Sequence, residues 1–335
     1  MSPQLDVLVP ARNAAATLRA ALASIQSQTF RHWRCVVVDD GSSDETAAIL
    51  ASISAQDGRF HVVSGRGAGI VSALSIGLKQ CTAPFVARMD ADDLSHRRRF
   101  AAQLQLFERD PGLSAVGSHV RLFPTRELSG GMKNYERWLC SVVDASSLQR
   151  EAFVESPVAH PSLMFRTDTL KRFGYADRGW PEDYDLILRM LDARHRLSVV
   201  PERLLYWRES RSRLSRTSPV CAQDRIVACK AHYLAQGFLR DSGKYVLWGY
   251  GDTGKQLASA LSDHGKTPSL VVELHPGRIG QRICGAPVVH PDALGTQRTE
   301  SKIIASVAGA GPRQEIRAAL DRFGYREGAD YVCAA

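Results

Sequence analysis

The chain has 335 residues, 44% of them hydrophobic, with a formal net charge of +8 and a pI near 9.2. That length suits two domains better than one and allows a sizeable core. Seven cysteines (Cys35, Cys81, Cys140, Cys221, Cys229, Cys284, Cys333) lie at scattered spacings without a CxxC pair, which excludes a disulfide framework or zinc ribbon as the organising device. No stretch approaches the roughly 18 uncharged apolar residues of a membrane span. The opening MSPQLDVLVPARN lacks a basic segment followed by an apolar one, so a cytoplasmic protein is expected. The positive charge leaves three partners open: nucleic acid, an anionic membrane surface met peripherally, or a diphosphate-bearing substrate.

Leu5–Val9 is a short apolar run closed by Pro10, and Asn13 stands where it can cap a helix from Ala14 to about Gln28. Arg34–Val38 reads as a strand buried on both faces and stops at Asp39-Asp40-Gly41-Ser42, before a helix over Asp44–Ala55. Phe60–Val63 reads as a strand, Gly69–Gln80 as a helix, Pro84–Met89 as a strand, and about Arg97 to Asp110 as a long helix. This alternation predicts a parallel sheet with helices on both faces. From Gly112 to Arg208 the pattern is mixed, with strands at Ser114–Leu122, Leu197–Val200 and Leu204–Trp207 and a helix at Glu182–Arg194. In that helix Tyr184, Ile187, Leu188 and Leu191 form one apolar stripe. Pro219–Gln236 reads as a linking helix. A second alternation follows: strand Tyr245–Trp248, a helix to His264, strands at Ser269–Glu273 and Lys302–Val307, and a helix at Pro312–Phe323. The expected plan is α/β throughout: a mixed-sheet domain over 1–218, a linker over 219–242 and a small α/β domain over 243–335.

Three acidic clusters sit just beyond apolar strands, where open α/β sheets place ligands. Asp39-Asp40 can accept from a nucleobase or ribose, or can serve as turn residues; both readings stay open. Arg88-Met89-Asp90-Ala91-Asp92-Asp93 is more pointed, because three carboxylates in four residues repel one another unless a cation sits among them. Two carboxylates with diphosphate oxygens are a usual way to hold Mg²⁺ or Mn²⁺. In Trp180-Pro181-Glu182-Asp183-Tyr184 the proline opens a helix, and acids in a first turn need no chemistry to explain them.

Together with Val9-Pro10-Ala11-Arg12-Asn13, these clusters resemble the family 2 inverting glycosyltransferases of GT-A fold, over about Leu5 to Arg208. The resemblance implies a Rossmann-like mixed sheet and a nucleotide-sugar donor, a UDP-sugar in the first instance. It implies that Pro10, Arg12 and Asn13 meet the nucleotide and that Asp40, with Asp39 beside it, contacts the base. Gly69 opens a helix similar to the donor-binding one, Ser75 replacing its frequent Asn, and Arg66 lies just before it. Asp90 and Asp92 match the DXD pair that holds manganese or magnesium, Asp92 being the better direct ligand, and Arg88 precedes them. Asp183 matches the general base. The family's Arg-x-His reads Arg208-Glu209-Ser210 here, which lacks the histidine. The implied reaction is metal-dependent transfer of a hexose to an acceptor hydroxyl with inversion in one displacement.

Gly249-Tyr250-Gly251-Asp252-Thr253-Gly254 after a strand, with Glu273 about twenty residues on, fits the dinucleotide fingerprint. Gly249, Gly251, Gly254 and Glu273 are therefore nucleotide candidates, and a purely structural domain is the equal alternative. No hydride-transfer residues accompany them, so NAD(P) is not an expected cofactor. A family 2 domain followed by WGYGDTGKQL, PVVHPDAL and EGADYV resembles the animal queuosine-tRNA galactosyltransferases, with Asn134–Trp138, Val154–Pro161 and Pro181–Asp183 in support. That resemblance implies a tRNA acceptor. His160, Trp180, Arg211 and Arg213 are then acceptor-side candidates, and seven arginines between Arg194 and Arg216, with the His-Arg-Arg-Arg run at 96–99, could meet phosphates. The rival readings are a lipid-linked or envelope saccharide as acceptor, a non-catalytic nucleotide-binding regulator, and a dehydrogenase centred on Gly249–Gly254.

Overall fold

A computed structural model describes residues 3–210, 213–296 and 299–335. The chain divides into two units: Met1–Leu148 with Pro157–Arg178 and Asp185–Thr217, and Gln149–Ser156 with Gly179–Tyr184 and Ser218–Ala335. Among the described residues no helix is long and apolar enough to cross a membrane.

In the first unit, β1 (Leu5–Ala11) is buried at every position. Burial on both faces calls for an unbroken apolar run, and only Asp6 interrupts it. The strand is flanked by β2 (Trp33–Asp39), β3 (Phe60–Ser64) and β4 (Phe85–Arg88), all parallel, in the spatial order β3-β2-β1-β4. The crossovers are α1 (Leu18–Gln26), α2 (Thr46–Gln56) and α3 (Ile70–Gln80). The chain continues through β5 (Leu94–Ser95), α4 (Arg99–Arg109), β6 (Leu113–Phe123), α5 (Gly130–Leu139), α6 (Ala145–Glu151), β7 (Met164–Arg166), α7 (Thr167–Phe173), α8 (Glu182–Asp192), β8 (Arg196–Arg208) and α9 (Leu214–Thr217). The complete sheet runs β3-β2-β1-β4-β7-β6-β8-β5, with β7 antiparallel to β4 and β6, and β5 antiparallel to β8. Leu5, Val7 and Val9 face a core shared with α1, α2 and α4, whereas Leu8, Val36 and Val38 face α3, α7 and α8. Helices therefore cover both faces, as the strand–helix alternation requires.

The two strands read at Leu197–Val200 and Leu204–Trp207 are one, because β8 pairs along the whole of β6. The register jumps between Ser118↔Val200 and His119↔Arg203, so Pro201 and Glu202 bulge out of the ladder. A proline has no N–H to give a sheet and reads as a stop; here the bulge absorbs it.

The second unit has its own six-stranded sheet, preceded by α10 (Gln223–Tyr233) with a π turn at Leu234–Phe238. In chain order come β9 (Lys244–Trp248), α11 (Asp252–Ser262), β10 (Thr267–Val272), β11 (Arg282–Ile283), β12 (Ala286–Val289), α12 (Asp292–Thr296), β13 (Ile303–Ala305), α13 (Ala310–Arg322) and β14 (Tyr331–Cys333). The spatial order is β11-β12-β10-β9-β13-β14, with only the β11–β12 pair antiparallel. The expected linker helix is part of this unit's core. Val227, Ala231, Leu234 and Ala235 pack with Leu257, Ala258 and Leu261 of α11.

Asp6 is the polar exception inside β1, and its partners explain it. Arg34 Nε and Nη2 donate to its two carboxylate oxygens at 2.7 and 2.9 Å, and the Thr82 and Ala83 amides donate to Oδ2 at 2.6 and 2.8 Å. One buried acid thus ties β1 to β2 and to the turn before β4. Asp6→Ala removes four hydrogen bonds and leaves Arg34 only its bonds to Gln80 and Thr82, so we expect it to destabilise the protein by about 3 kcal/mol, read from urea unfolding. A loss within experimental error would contradict this role.

Candidate functional site

With β3, β2, β1 and β4 parallel, the loops that follow them emerge at one edge, and the order reverses at β1, where such sheets open a crevice. The β1 and β2 loops are laced together. Asn13 has φ 50° and does not cap α1. Its Oδ1 accepts from the Ser43 amide at 2.8 Å and its own amide donates to Ser42 Oγ at 2.9 Å. The next two amides, Ala14 and Ala15, donate to Thr46 Oγ1 and Asp44 Oδ2, so α1 begins only at Leu18. Asp39 closes its own turn by accepting from the Ser42 amide at 3.1 Å.

Asp40 is buried at the end of β2. Its Oδ2 accepts from the Gly69 amide at 2.9 Å and lies 4.0 Å from the exposed Arg12, while its Oδ1 is out of water without a hydrogen-bond partner. A buried carboxylate oxygen left open is an acceptor reserved for something not in the chain. Pro10 lies within buried β1, and Arg66 is exposed between β3 and α3.

The β4 loop carries the strongest charge feature. Asp90, Asp92 and Asp93 bring carboxylate oxygens within 4.8 Å of one another. Burial, then the Asp90 charge, lifts Asp92 to about 6, and burial with both neighbours lifts Asp93 well above the ordinary carboxylate range. Arg88 is buried and ion-paired to Asp90. Asp93 Oδ1 accepts from the Arg208 amide at 2.7 Å, but its Oδ2 is buried without a partner. Crowded acids with an orphaned oxygen fit a hard divalent cation, which takes carboxylate oxygens by preference. Behind the loop, Arg99 is wholly buried. It donates to the Arg88 carbonyl at 2.7 Å and to Gln103 Oε1 at 3.1 Å, and Gln103 donates onward to the carbonyls of Val116 and Ser162.

Two arginines complete the acid loop. Arg208 Nε donates to the Asp92 carbonyl at 2.7 Å while its guanidinium lies over the Phe123 ring. Arg213 is 15% exposed, bonded to buried Glu209 at 3.0 Å and stacked 4.2 Å from the Trp207 ring centroid. Its charge opposes the upward shifts of Asp92 and Asp93. Arg213 therefore acts on the acid cluster and is not free for RNA. Arg211 lies outside the described residues. Arg196 pairs with Asp110, Arg203 with Glu136, Arg216 with Glu209, and Arg98 with Glu202. These four arginines are half-exposed, and each has an acid beside it at the surface. His160 is buried too, its ring 3.3 Å from the Tyr175 hydroxyl, rather than presented to an acceptor.

Asp183 and Trp180 belong to the second unit. Asp183 Oδ1 accepts from the Tyr184 amide at 2.8 Å, and the Trp180 ring lies 5.4 Å from that of His232. In the same unit Glu273 does not stand ready for a ribose: its Oε1 accepts from the Tyr250 amide at 2.6 Å and from Arg278 at 3.2 Å, bracing the loop after β9. Sequence reasoning gave Asp6, Gln103 and Glu209 no role and read Arg99 as able to meet phosphates, whereas it is wholly buried; nothing local distinguishes a buried charge from a surface one.

Residues 6–172 match the family model for glycosyl transferase family 2. The amylovoran biosynthesis glycosyltransferase AmsE of Erwinia amylovora is 30% identical over 190 residues, 56% of this chain and 69% of that protein. An uncharacterized glycosyltransferase of Haemophilus influenzae is 31% identical over 126 residues, 37% of this chain and 39% of its own length, so the likeness covers well under half of that relative. Among solved structures, S. aureus TarS 1–349 in complex with UDP-GlcNAc superposes with a TM-score of 0.57 at 16% identity, covering 79% of this chain and 72% of the other. The mannosyltransferase PcManGT of Pyrobaculum calidifontis, in complex with GDP-Man and Mn²⁺, gives 0.53 at 20% identity, over 79% and 70%. The mixed sheet is of the GT-A type found in nucleotide-sugar enzymes. The chain belongs to glycosyl transferase family 2.

Burial, then the Arg88 charge, pushes the His160 imidazole well below its ordinary value. The folded protein then resists a proton that the unfolded chain accepts below about pH 6.5. Stability should fall as pH drops through that value, by about 1.4 kcal/mol per pH unit from this group alone. His160→Gln should flatten the dependence between pH 7 and pH 5 in urea unfolding; an unchanged slope would refute the assignment.

Proposed function

We propose that the chain transfers a hexose from a nucleotide-diphosphate sugar to an acceptor hydroxyl with inversion, Asp92 and Asp90 holding a divalent cation. The carrying observation is the cluster of Asp90, Asp92 and Asp93 at the end of β4, with Asp93 Oδ2 unsatisfied. The Mn²⁺ and GDP-Man bound by PcManGT, and the UDP-GlcNAc bound by TarS, support this reading. A bound Mg²⁺ or Mn²⁺ would supply Lewis-acid neutralisation of the departing diphosphate.

The chain's own residues divide the remaining work. Asp40 Oδ1 accepts from a base imide N–H, a group that uracil and guanine share. Arg88 holds Asp90 in place, and Arg99 holds the backbone beneath it. Arg213, set by Glu209 and Trp207, supplies the positive charge that the absent histidine of Arg-x-His would have given. Asp183 takes the acceptor proton as the new bond forms, a role that rests on its match to the family's general base.

For the acceptor we infer a saccharide hydroxyl. The relative named for amylovoran biosynthesis supports it. A queuosine-modified tRNA is the second reading, carried by the two-domain order and the +8 charge. Incubation with labelled donor and either total tRNA or envelope saccharide separates them: label should enter saccharide, and a hexosylated nucleoside would reverse the choice.

Asp92→Ala should abolish metal-dependent donor hydrolysis and transfer, and chelator should do the same to the native protein. Full activity in either case refutes the metal assignment. Asp183→Asn should lower transfer by a factor on the order of 10²–10⁴ with donor affinity retained. If donor affinity is lost while turnover persists, Asp183 is a binding residue and not the base.

A further inference from the structure

We propose that the second unit binds a nucleoside diphosphate at the loop between β9 and α11, with the phosphates on the α11 N-terminus above Ser306. This is a site apart from the acid loop of the first unit.

The sheet order reverses at β9, which lies between β10 and β13, and the loop after β9 leaves at that point. α11 has eleven residues, and no side chain caps its first turn. The N–H groups there have no acceptor within the helix, and the dipole favours an anion. The three glycines have separate reasons. Gly249 has φ 96°, and a Cβ on it would lie 2.3 Å from Val307 Cγ2; a Cβ on Gly254 would lie 2.1 Å from the Gly249 carbonyl oxygen. Those two let the loop and helix close onto the strands. Gly251 differs: its φ is −75°, and a Cβ built there meets nothing within 4 Å. Neither strain nor packing calls for glycine at that place, and a ligand in the open space would.

Ser306 is the independent observation. It is 1% exposed, and its Oγ is buried without a hydrogen-bond partner. Its amide donates to the Trp248 carbonyl at 2.8 Å, continuing the β13–β9 ladder, and its carbonyl accepts from Thr253 Oγ1 in the first turn of α11 at 3.1 Å. Strand alternation places its side chain on the face of Ile304, which packs with Leu257, Ala258 and Leu261 of α11. The open hydroxyl therefore lies on the side of the sheet that α11 covers, in a residue whose carbonyl is bonded by Thr253 of that helix's first turn. A buried hydroxyl with no partner is costly, and a phosphate oxygen would satisfy it.

The nucleoside is argued from apolar side chains. Leu274, after β10, is 66% exposed and Ile279 is 38% exposed, and both lie in the segment that also carries Glu273 and Arg278, the brace on Tyr250. They offer a shelf for a base beside the loop. Glu273 already serves Tyr250 and Arg278, which weighs against a dinucleotide read through its ribose diol. Asp252 and Lys255, exposed and 4.0 Å apart, offset each other at the entrance.

The test is calorimetric titration of the full chain in EDTA with ADP, inorganic pyrophosphate and NADH, on native protein and on Gly251→Ala, Ser306→Ala and Leu274→Ser. ADP should bind, more tightly than pyrophosphate and at least as tightly as NADH. Gly251→Ala should fold normally, since its backbone and surroundings accept a methyl group, and should weaken ADP at least tenfold. Ser306→Ala should weaken it about 3–10-fold, the worth of one hydrogen bond, with no loss of thermal stability. Leu274→Ser should weaken ADP and leave pyrophosphate alone. Absence of heat with every probe at millimolar concentration, ADP affinity unchanged in Gly251→Ala, or pyrophosphate as tight as ADP would each overturn the proposal. Donor hydrolysis by the first unit should be unaffected by Gly251→Ala, so failure here is distinct from failure of the transferase reading.

Discussion

The guanidinium of Arg99, withdrawn wholly from water, is the constraint on which the acid loop rests. Burial lowers its pKa to about 9, with the charge of Asp93 opposing that shift. A cation in that position is tolerated only where hydrogen bonds replace its hydration. It finds them on the carbonyl of Arg88 at the end of β4 and on Gln103, whose amide reaches carbonyls of β6 and of the segment before β7. Three chain segments are thereby fixed behind three carboxylates that would otherwise push apart. Hydrogen bonds tie down the backbone beneath the acids, and their closeness makes them suit a divalent cation.

Legibility from the sequence follows the range of the forces involved. The parallel half of the first sheet was readable because burial on both faces writes an unbroken apolar run into β1 and β2. The acidic loops were readable because each follows such a run directly. Asn13 was misread as a helix cap because its real partners, Ser42 and Ser43, lie some thirty residues away. Pro201 concealed the continuity of β8, since the sheet accommodates it by a bulge that only pairing with β6 reveals. In the second unit, β12 and β14 were too short for a period to show, having four and three residues. The helix at Gln223–Tyr233 looked like a linker because its apolar residues are sparse, yet they complete a core built from elements further along the chain.

The arginines teach the same lesson in charge. A net charge is a sum over the chain, whereas a polyanion is held by cations that have no nearer partner. Between β8 and α9 the sequence shows a dense basic segment, and the fold attaches an acid to most of it. Glu209 takes Arg213 and Arg216, Asp110 takes Arg196, and Glu136 takes Arg203. Glu209 is a near neighbour in sequence, but Asp110 and Glu136 come from the turn after α4 and from α5, so proximity in sequence could not announce those two.

Glu209 is buried, and a buried carboxylate must be compensated. Two arginines do this, and in doing so one of them, Arg213, is laid flat on Trp207 with its charge opposing those of Asp92 and Asp93. Replacing a histidine by serine in the Arg-x-His position would leave the acid loop with one cation fewer. The neighbouring glutamate restores it from three residues further on, through a planar guanidinium held by a ring on one side and a carboxylate at its edge. Positive charge beside the acid loop thus comes from an arginine outside the Arg-x-His position.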